Sequence, residues 1–304
     1  MQTQELRYAS ATGLGEIYSK LWLPDSAPGA VVQIAHGMAE HIERYALFAE
    51  FLCGHGIAVA ANDHAGHGKS ADTAHRGYFG ESGGWEAVLK DMKALHDQAA
   101  ERFPGVPYIL MGHSMGSFLA RSYATRYGEG IRALILSGTA GSNPVLGVAK
   151  AMARNEKKKN GPMQPSPRIS DMSFGSYNKQ FLPARTPFDW LSRDTETVDR
   201  YVADPGCGFP FTAEAYLDVF TGLSEISGPA WAKKVPKVPI QLFSGAKDPV
   251  GGSGKGVLQV KKWLEDTGHD VTFKLYPEGR HEMLNEINRS EVYNDVLAFI
   301  ERIR

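Results

Sequence analysis

Short runs that are apolar on both faces, Val31-Val-Gln-Ile-Ala35 and Ala133-Leu-Ile-Leu-Ser137, constrain this chain more than any other feature. A strand with one solvated face alternates apolar and polar side chains, whereas a strand covered on both faces does not. Together with these two, short runs that read as strands lie at residues 16–23, 30–35, 58–62, 108–111, 133–137, 240–244 and 271–276, several of them apolar on both faces. Between them, residues 42–53, 85–103, 115–127, 254–267 and 291–303 carry apolar side chains at helical spacing. In the last, Val292, Val296, Phe299 and Ile300 share one stripe. Strand–helix–strand alternation of this kind builds a mostly parallel sheet with helices on both faces, so the expected fold class is α/β.

The alternation stops between about Ser142 and Trp231, a stretch rich in proline with short amphipathic pieces and no convincing strand. A structureless loop of that length does not fit inside a compact domain. The expected organisation is a core of residues 1–141 and 232–304, with residues 142–231 inserted as a helical cap. Charge is uneven within the insertion: residues 144–185 hold eight Lys and Arg against two acids, and residues 186–225 hold two against eight. The simplest reading is a solvated face with a mobile loop at Lys157-Lys158-Lys159.

Composition excludes several function classes. Lys and Arg total 33 against 34 Asp and Glu, so no net field favours a nucleic-acid partner. The first residues are polar and lack an apolar h-region, and no run approaches the ~18 apolar residues of a membrane span. The apolar piece at residues 145–153 is too short for stable membrane insertion. Cys53 and Cys207 form no CxxC pair or disulfide framework. A cytoplasmic, reduced protein is the expectation; the sequence leaves its oligomeric state open.

The chemistry gathers around Gly112-His-Ser114-Met-Gly116. A G-x-S-x-G pentapeptide is weak by itself, but here a buried strand runs into it and a helix leaves it, as a nucleophile elbow requires. A serine hydroxyl needs a base, and the base a carboxylate to orient it. On sheets bearing such an elbow the acid and then the histidine follow the serine in chain order. Asp248 ends the loop after strand 240–244, and His281 ends the loop after strand 271–276. His269, Asp266 and Asp270 fall at the opposite edge of the sheet. Ser114, Asp248 and His281 are the expected triad. The oxyanion of an acyl-transfer intermediate needs backbone N–H donors. Met115, after the nucleophile, supplies one, and Met38, in the turn His36-Gly-Met-Ala-Glu-His41, supplies the other. His36 and His41 read as structural.

The series HGMAEHIERY, NDHAGHGKS, GHSMGS, SGAKDPVGG and GRHEMLNE resembles the α/β-hydrolase superfamily. More narrowly, it resembles the monoglyceride lipase and lysophospholipase-like branch that is grouped with the serine aminopeptidases. The resemblance spans nearly the whole chain, and the block from Arg185 to Thr212 also resembles bacterial members. It implies an eight-stranded sheet, a helical cap over the site, the same triad and the Met38 and Met115 amides as oxyanion donors. The pattern departs at Ala39, where that branch carries glycine.

Other motifs carry less. His64-Ala-Gly-His67 has no third ligand at metal spacing, and no metal or other cofactor is expected. Gly251–Gly256 fails the phosphate-loop pattern at Pro249 and at Gly256. Cys53 reads as a packing residue, and the tryptophans as core or cap, with Trp190 a candidate for the acyl channel. The expected activity is hydrolysis of carboxylic esters of lipid type, with a small-molecule ester or lipid as substrate. Two alternatives remain. A prolyl-type aminopeptidase would need inward-facing cap acids, from Asp194–Asp204 or from Glu214 and Asp218. A non-catalytic binding protein would have no need of all three triad residues.

Overall fold

The computed structural model describes every residue from Met1 to Arg304. Its strands are β1 (Gln2–Ala9), β2 (Glu16–Leu23), β3 (Ala30–Ala35), β4 (Ile57–Asn62), β5 (Tyr108–His113), β6 (Ala133–Ser137), β7 (Ile240–Gly245) and β8 (Val271–Tyr276). They form one sheet in the order β1-β2-β4-β3-β5-β6-β7-β8. The pairs β1/β2 and β2/β4 are antiparallel, and all other pairs are parallel.

The helices are α1 (Ala46–Gly54), α2 (Gly84–Arg102), α3 (Met115–Tyr127), α4 (Leu146–Asn160), α5 (Pro167–Phe174), α6 (Thr195–Ala203), α7 (Ala213–Ile226), α8 (Lys255–Asp266) and α9 (Arg289–Glu301). Central strands are apolar on both faces because each face has its own helical layer. Val31 and Ala35 join one core with Leu89 of α2, Leu119 of α3 and Leu264 of α8. Val32 and Ile34 join the other with Leu52 of α1 and Val296 of α9. Pleating sends neighbouring residues of one strand into different cores.

Two expectations need correction. The sequence reading has no strand before residue 16, yet Gln2–Ala9 is an edge strand paired along its length with β2. Only Leu6 and Tyr8 of β1 are half-buried and the other residues are exposed, so hydrophobic patterning gives it little signal. The helix expected at 42–53 begins as a 3₁₀ turn over Ile42–Tyr45 before α1 continues.

Sheet order positions the site. The chain leaves β3 towards β4 on one side and returns to β5 on the other, so β3 and β5 flank a topological switch point. Ligands of open α/β sheets bind beyond the carboxyl ends of strands at such a point. Ala35 pairs with Gly112, so the turn after β3 and the elbow after β5 emerge side by side. Helices α4–α7 all lie in the segment between β6 and β7. Arg121 of α3, itself buried, donates to Ala140 O at 2.8 Å and to Ile226 O at 2.6 Å. It thereby ties the nucleophile helix to chain at both ends of that segment. No helix is long and apolar enough to cross a membrane.

Candidate active site

Ser114 stands between β5 and α3 with φ 53° and ψ −121°, a backbone conformation that costs an L-residue of order 1–3 kcal/mol. Its surroundings hold it there. Ser114 N donates to Ser137 O at 3.0 Å, and Ser114 O accepts from Ser117 N at 2.8 Å. A Cβ on Gly116 would overlap the carbonyl of Ala35, so only glycine lets α3 start this close to β3.

Asp248 and His281 arrive from the loops after β7 and β8, both fully buried. His281 Nδ1 lies 3.0 Å from Asp248 Oδ2, and Ser244 Oγ donates to the same oxygen at 2.9 Å. The other oxygen accepts from Val250 N at 2.9 Å. Burial works against the charged carboxylate, but His281 and these donors outweigh it and hold the carboxyl below its ordinary range. For His281, burial pulls the imidazole down while Asp248, then Glu282 and Glu40, pull it up; the balance lies above the ordinary histidine value. The ring packs against Trp190 at a centroid distance of 5.1 Å and against His113 at 4.7 Å. His113 itself is pushed down to about 4, by burial and then by His281, so it is neutral beside the base. Gly138, at φ +59°, leaves room for the ring: a Cβ there would stand 2.9 Å from His281 Cε1.

The turn after β3 carries the expected second oxyanion donor. Ala39, where the motif departs from glycine, takes the left-handed φ of 51° that glycine favours. Its N–H donates to His67 Nε2 at 3.2 Å, and its carbonyl accepts from Gly208 N at 2.9 Å and Tyr201 Oη at 3.1 Å. Met38 therefore sits in a turn pinned from both sides. His67 Nδ1 faces Ala65 O at 3.0 Å, while His36 bridges Gly37 O and His64 N. Both rings spend an acceptor nitrogen on backbone N–H groups. Burial pushes His67 down to about 4 and His64 to about 3.

Ser114 and Met38 line two cavities at once. One, of about 280 Å³, is also lined by His281, Glu40, Glu282 and Trp190. The other, of about 360 Å³, is mainly apolar, lined by Phe118, Val148, Val219, Phe220 and Leu223, and it includes Met115. Ser114, Asp248, His281, Met38 and Met115 thus come together at one strand edge. Trp190 lines the cavity beside His281 and not the mainly apolar one; its backbone N–H donates to Asn178 Oδ1 at 2.9 Å, which helps fix that segment. The sequence reading missed Glu40, Arg44 and Glu282, a buried ionic cluster whose two carboxylates line the cavity beside His281. Glu40 and Arg44 at helical spacing, and Glu282 directly after His281, were the available signal.

The model of the family described as serine aminopeptidase, S33 matches residues 26–288. The chain belongs to this family. A monoacylglycerol lipase of Mycolicibacterium smegmatis is 32% identical over 97% of this chain and 96% of its own. The human monoglyceride lipase is 27% identical, over 92% of this chain and 84% of its own. Among solved structures, a thermostable carboxyl esterase from Bacillus coagulans, in complex with glycerol, is similar at a TM-score of 0.94 and 34% identity. That likeness covers 100% of this chain and 99% of the esterase. The expected α/β-hydrolase fold and family branch both stand.

Proposed function

We propose that this member of the S33 family hydrolyses carboxylic esters of lipid type, monoacylglycerols among them, through an acyl-enzyme on Ser114. The observation that carries the reading is the position of Ser114, at the meeting of an apolar cavity and a cavity that holds His281. An acyl chain fits the first, and the departing alcohol leaves through the second. Residues 142–231 act as the cap over this site, on a core of residues 1–141 and 232–304. The cytoplasm is the proposed compartment.

In this reading Ser114 Oγ attacks the ester carbonyl carbon as His281 Nε2 takes its proton. Asp248 holds the ring through Nδ1–H and stabilises the imidazolium. The Met38 and Met115 amides receive the oxyanion. The carbon–oxygen bond to the alcohol then breaks, and His281 returns its proton to the leaving oxygen. Water repeats the sequence on the acyl-enzyme and releases the acid.

The aminopeptidase alternative needs acids aimed into the site. Asp194 caps α6 through Thr197 N, Asp199 pairs with Arg185, Asp204 with His41, and Glu214 with Lys157. Asp218 lies against Gly84. None of these lines either cavity; Asp171 is the cap acid that does. The relatives' names also point to esters.

The test is kcat/KM over p-nitrophenyl esters from acetyl to palmitoyl, with 1-monoacylglycerol and a prolyl anilide alongside, in wild type and Ser114→Ala. Activity rising towards longer acyl chains, with monoacylglycerol turned over and a loss of at least ~10³-fold in the variant, is expected. Efficient anilide cleavage with weak ester turnover would replace the reading with the peptidase one.

A further inference from the structure

In the wall of the cavity that holds His281, two carboxylates share one guanidinium with almost no solvent. Arg44 Nη1 donates to Glu40 Oε2 at 2.5 Å and to Glu282 Oε1 at 2.6 Å, and Arg44 Nη2 donates to Glu282 Oε2 at 2.6 Å. Glu40 Oε1 also accepts from Gly37 N at 2.5 Å and Tyr45 Oη at 2.8 Å. Side-chain exposure is 11% for Arg44 and 4% for each carboxylate. Tyr201, the residue that also holds the Ala39 carbonyl, lies under the guanidinium at 4.8 Å.

The three residues come from parts of the chain with different tasks. Glu40 ends the turn that carries Met38, Arg44 follows in the 3₁₀ turn, and Glu282 follows His281 directly. By taking the Gly37 N–H, Glu40 fixes the start of the oxyanion turn and removes a competing amide from the cavity. Arg44 then fastens that turn to the histidine loop by a two-pronged contact. Buried ion clusters seldom add stability over apolar side chains of equal volume, so stability gives little reason for this one. Two carboxylates against one guanidinium also leave an excess negative charge.

We propose that Glu40, Arg44 and Glu282 form a positioning unit for the ester hydrolysis, holding the Met38 turn and His281 in register and favouring the imidazolium that forms as Ser114 loses its proton. The inference rests on the assignment of Ser114 and His281 made above. Other groups face the His281 ring as well: Asp248 from the β7 loop, neutral His113 from the end of β5, and Trp190 from the cap. Tyr177 of the cap packs edge-on against Trp190. Asp248 provides the main opposing charge, and Glu282 and Glu40 add to it in the same direction.

The experiment compares wild type, Glu282→Gln, Arg44→Lys and Arg44→Met by kcat, KM and the pH profile of kcat/KM on p-nitrophenyl butyrate, with Tm alongside. In Glu282→Gln, kcat should fall roughly 10–100-fold with a smaller change in KM, as misplacement of reacting groups does. Its acid limb should move to lower pH by roughly half a unit to one unit, because a negative charge near His281 is gone. Arg44→Lys keeps the charge and loses the fork, so its kcat should fall while its acid limb stays, and it should be more active than Arg44→Met. A lower Tm with kcat and acid limb unmoved would make the cluster merely structural and overturn the proposal. Should Glu282→Gln not fold, a wild-type kcat in Arg44→Lys overturns it equally. Labelling of wild type with a fluorophosphonate separates the two levels. No adduct on Ser114 removes the reading on which the unit rests, whereas an adduct with unaffected variants removes the positioning unit alone.

Discussion

Asp248 Oδ2 and His281 Nδ1 meet 3.0 Å apart with both side chains shut off from solvent. In this setting the imidazole must donate through Nδ1, leaving Nε2 free for Ser114. Asp248 raises the His281 pKa against burial, so the base is neutral, and active, only at higher pH than an ordinary histidine. The acid limb of wild-type kcat/KM should therefore lie above about 6.5. In Asp248→Asn the charge is lost and the amide favours the wrong tautomer. A fall in kcat of about 10³–10⁴-fold is expected, with the residual activity showing its acid limb at lower pH. Stopped or initial-rate profiles from pH 5 to 9 check both. An acid limb unmoved in the variant would mean that Asp248 does not govern this base.

Ala39 holds a left-handed φ of 51° without the freedom of glycine. That conformation costs an L-residue about 1–2 kcal/mol, part of which glycine would return as backbone entropy lost on folding. Ala39→Gly should raise unfolding free energy by about 0.5–1 kcal/mol, read from denaturant titration. His67, Tyr201 and Gly208 still pin the turn, so kcat should remain within about twofold of wild type. A stability loss would show that the alanine methyl packs to an extent that outweighs its strain.

The convergence of Ser114, Asp248 and His281 was legible because β5 and β7 are buried along their length and β8, though half-buried, still alternates apolar side chains. Ser114, Asp248 and His281 needed only chain order and the rule that loops at one sheet edge converge. β1 was not legible, since an edge strand exposed along most of its length has no apolar pattern to show. The Arg44–Glu282 contact joins residues 238 positions apart, and no spacing rule reaches that far. The cavity that Trp190 lines was not legible either, because the direction of a side chain in an irregular segment follows from packing, here against His281 and Phe174.

Val219 and Leu223 of α7 face the apolar cavity beside Ser114. A tryptophan at either position fills volume that a long acyl chain would occupy and leaves the serine accessible to short ones. Val219→Trp and Leu223→Trp should each lower kcat/KM on palmitoyl esters roughly tenfold or more while changing acetyl ester turnover by less than about threefold. Equal losses on both substrates would place the acyl chain elsewhere.

Asp218 lies on α7, buried, with Gly84 at the start of α2 against its carboxylate. Burial, and then the neighbouring Glu214, push its carboxyl up to about 7, with the Gly84 N–H, then Lys157 and the Trp85 N–H, only partly offsetting them. A carboxyl whose pKa is raised on folding binds its proton more tightly in the native state. Its contribution to stability is therefore complete below the unfolded value near 4 and is lost as pH rises through about 7. Asp218→Asn keeps the shape and removes the ionisation. The advantage of the variant over wild type in Tm should be small near pH 4 and should grow towards pH 8 by an amount equivalent to roughly 2–4 kcal/mol. Thermal melts at the two pH values decide the matter. A wild type that is the more stable at pH 8 would mean that the Asp218 carboxylate is held by the α2 N-terminus strongly enough to reverse the cost of its burial.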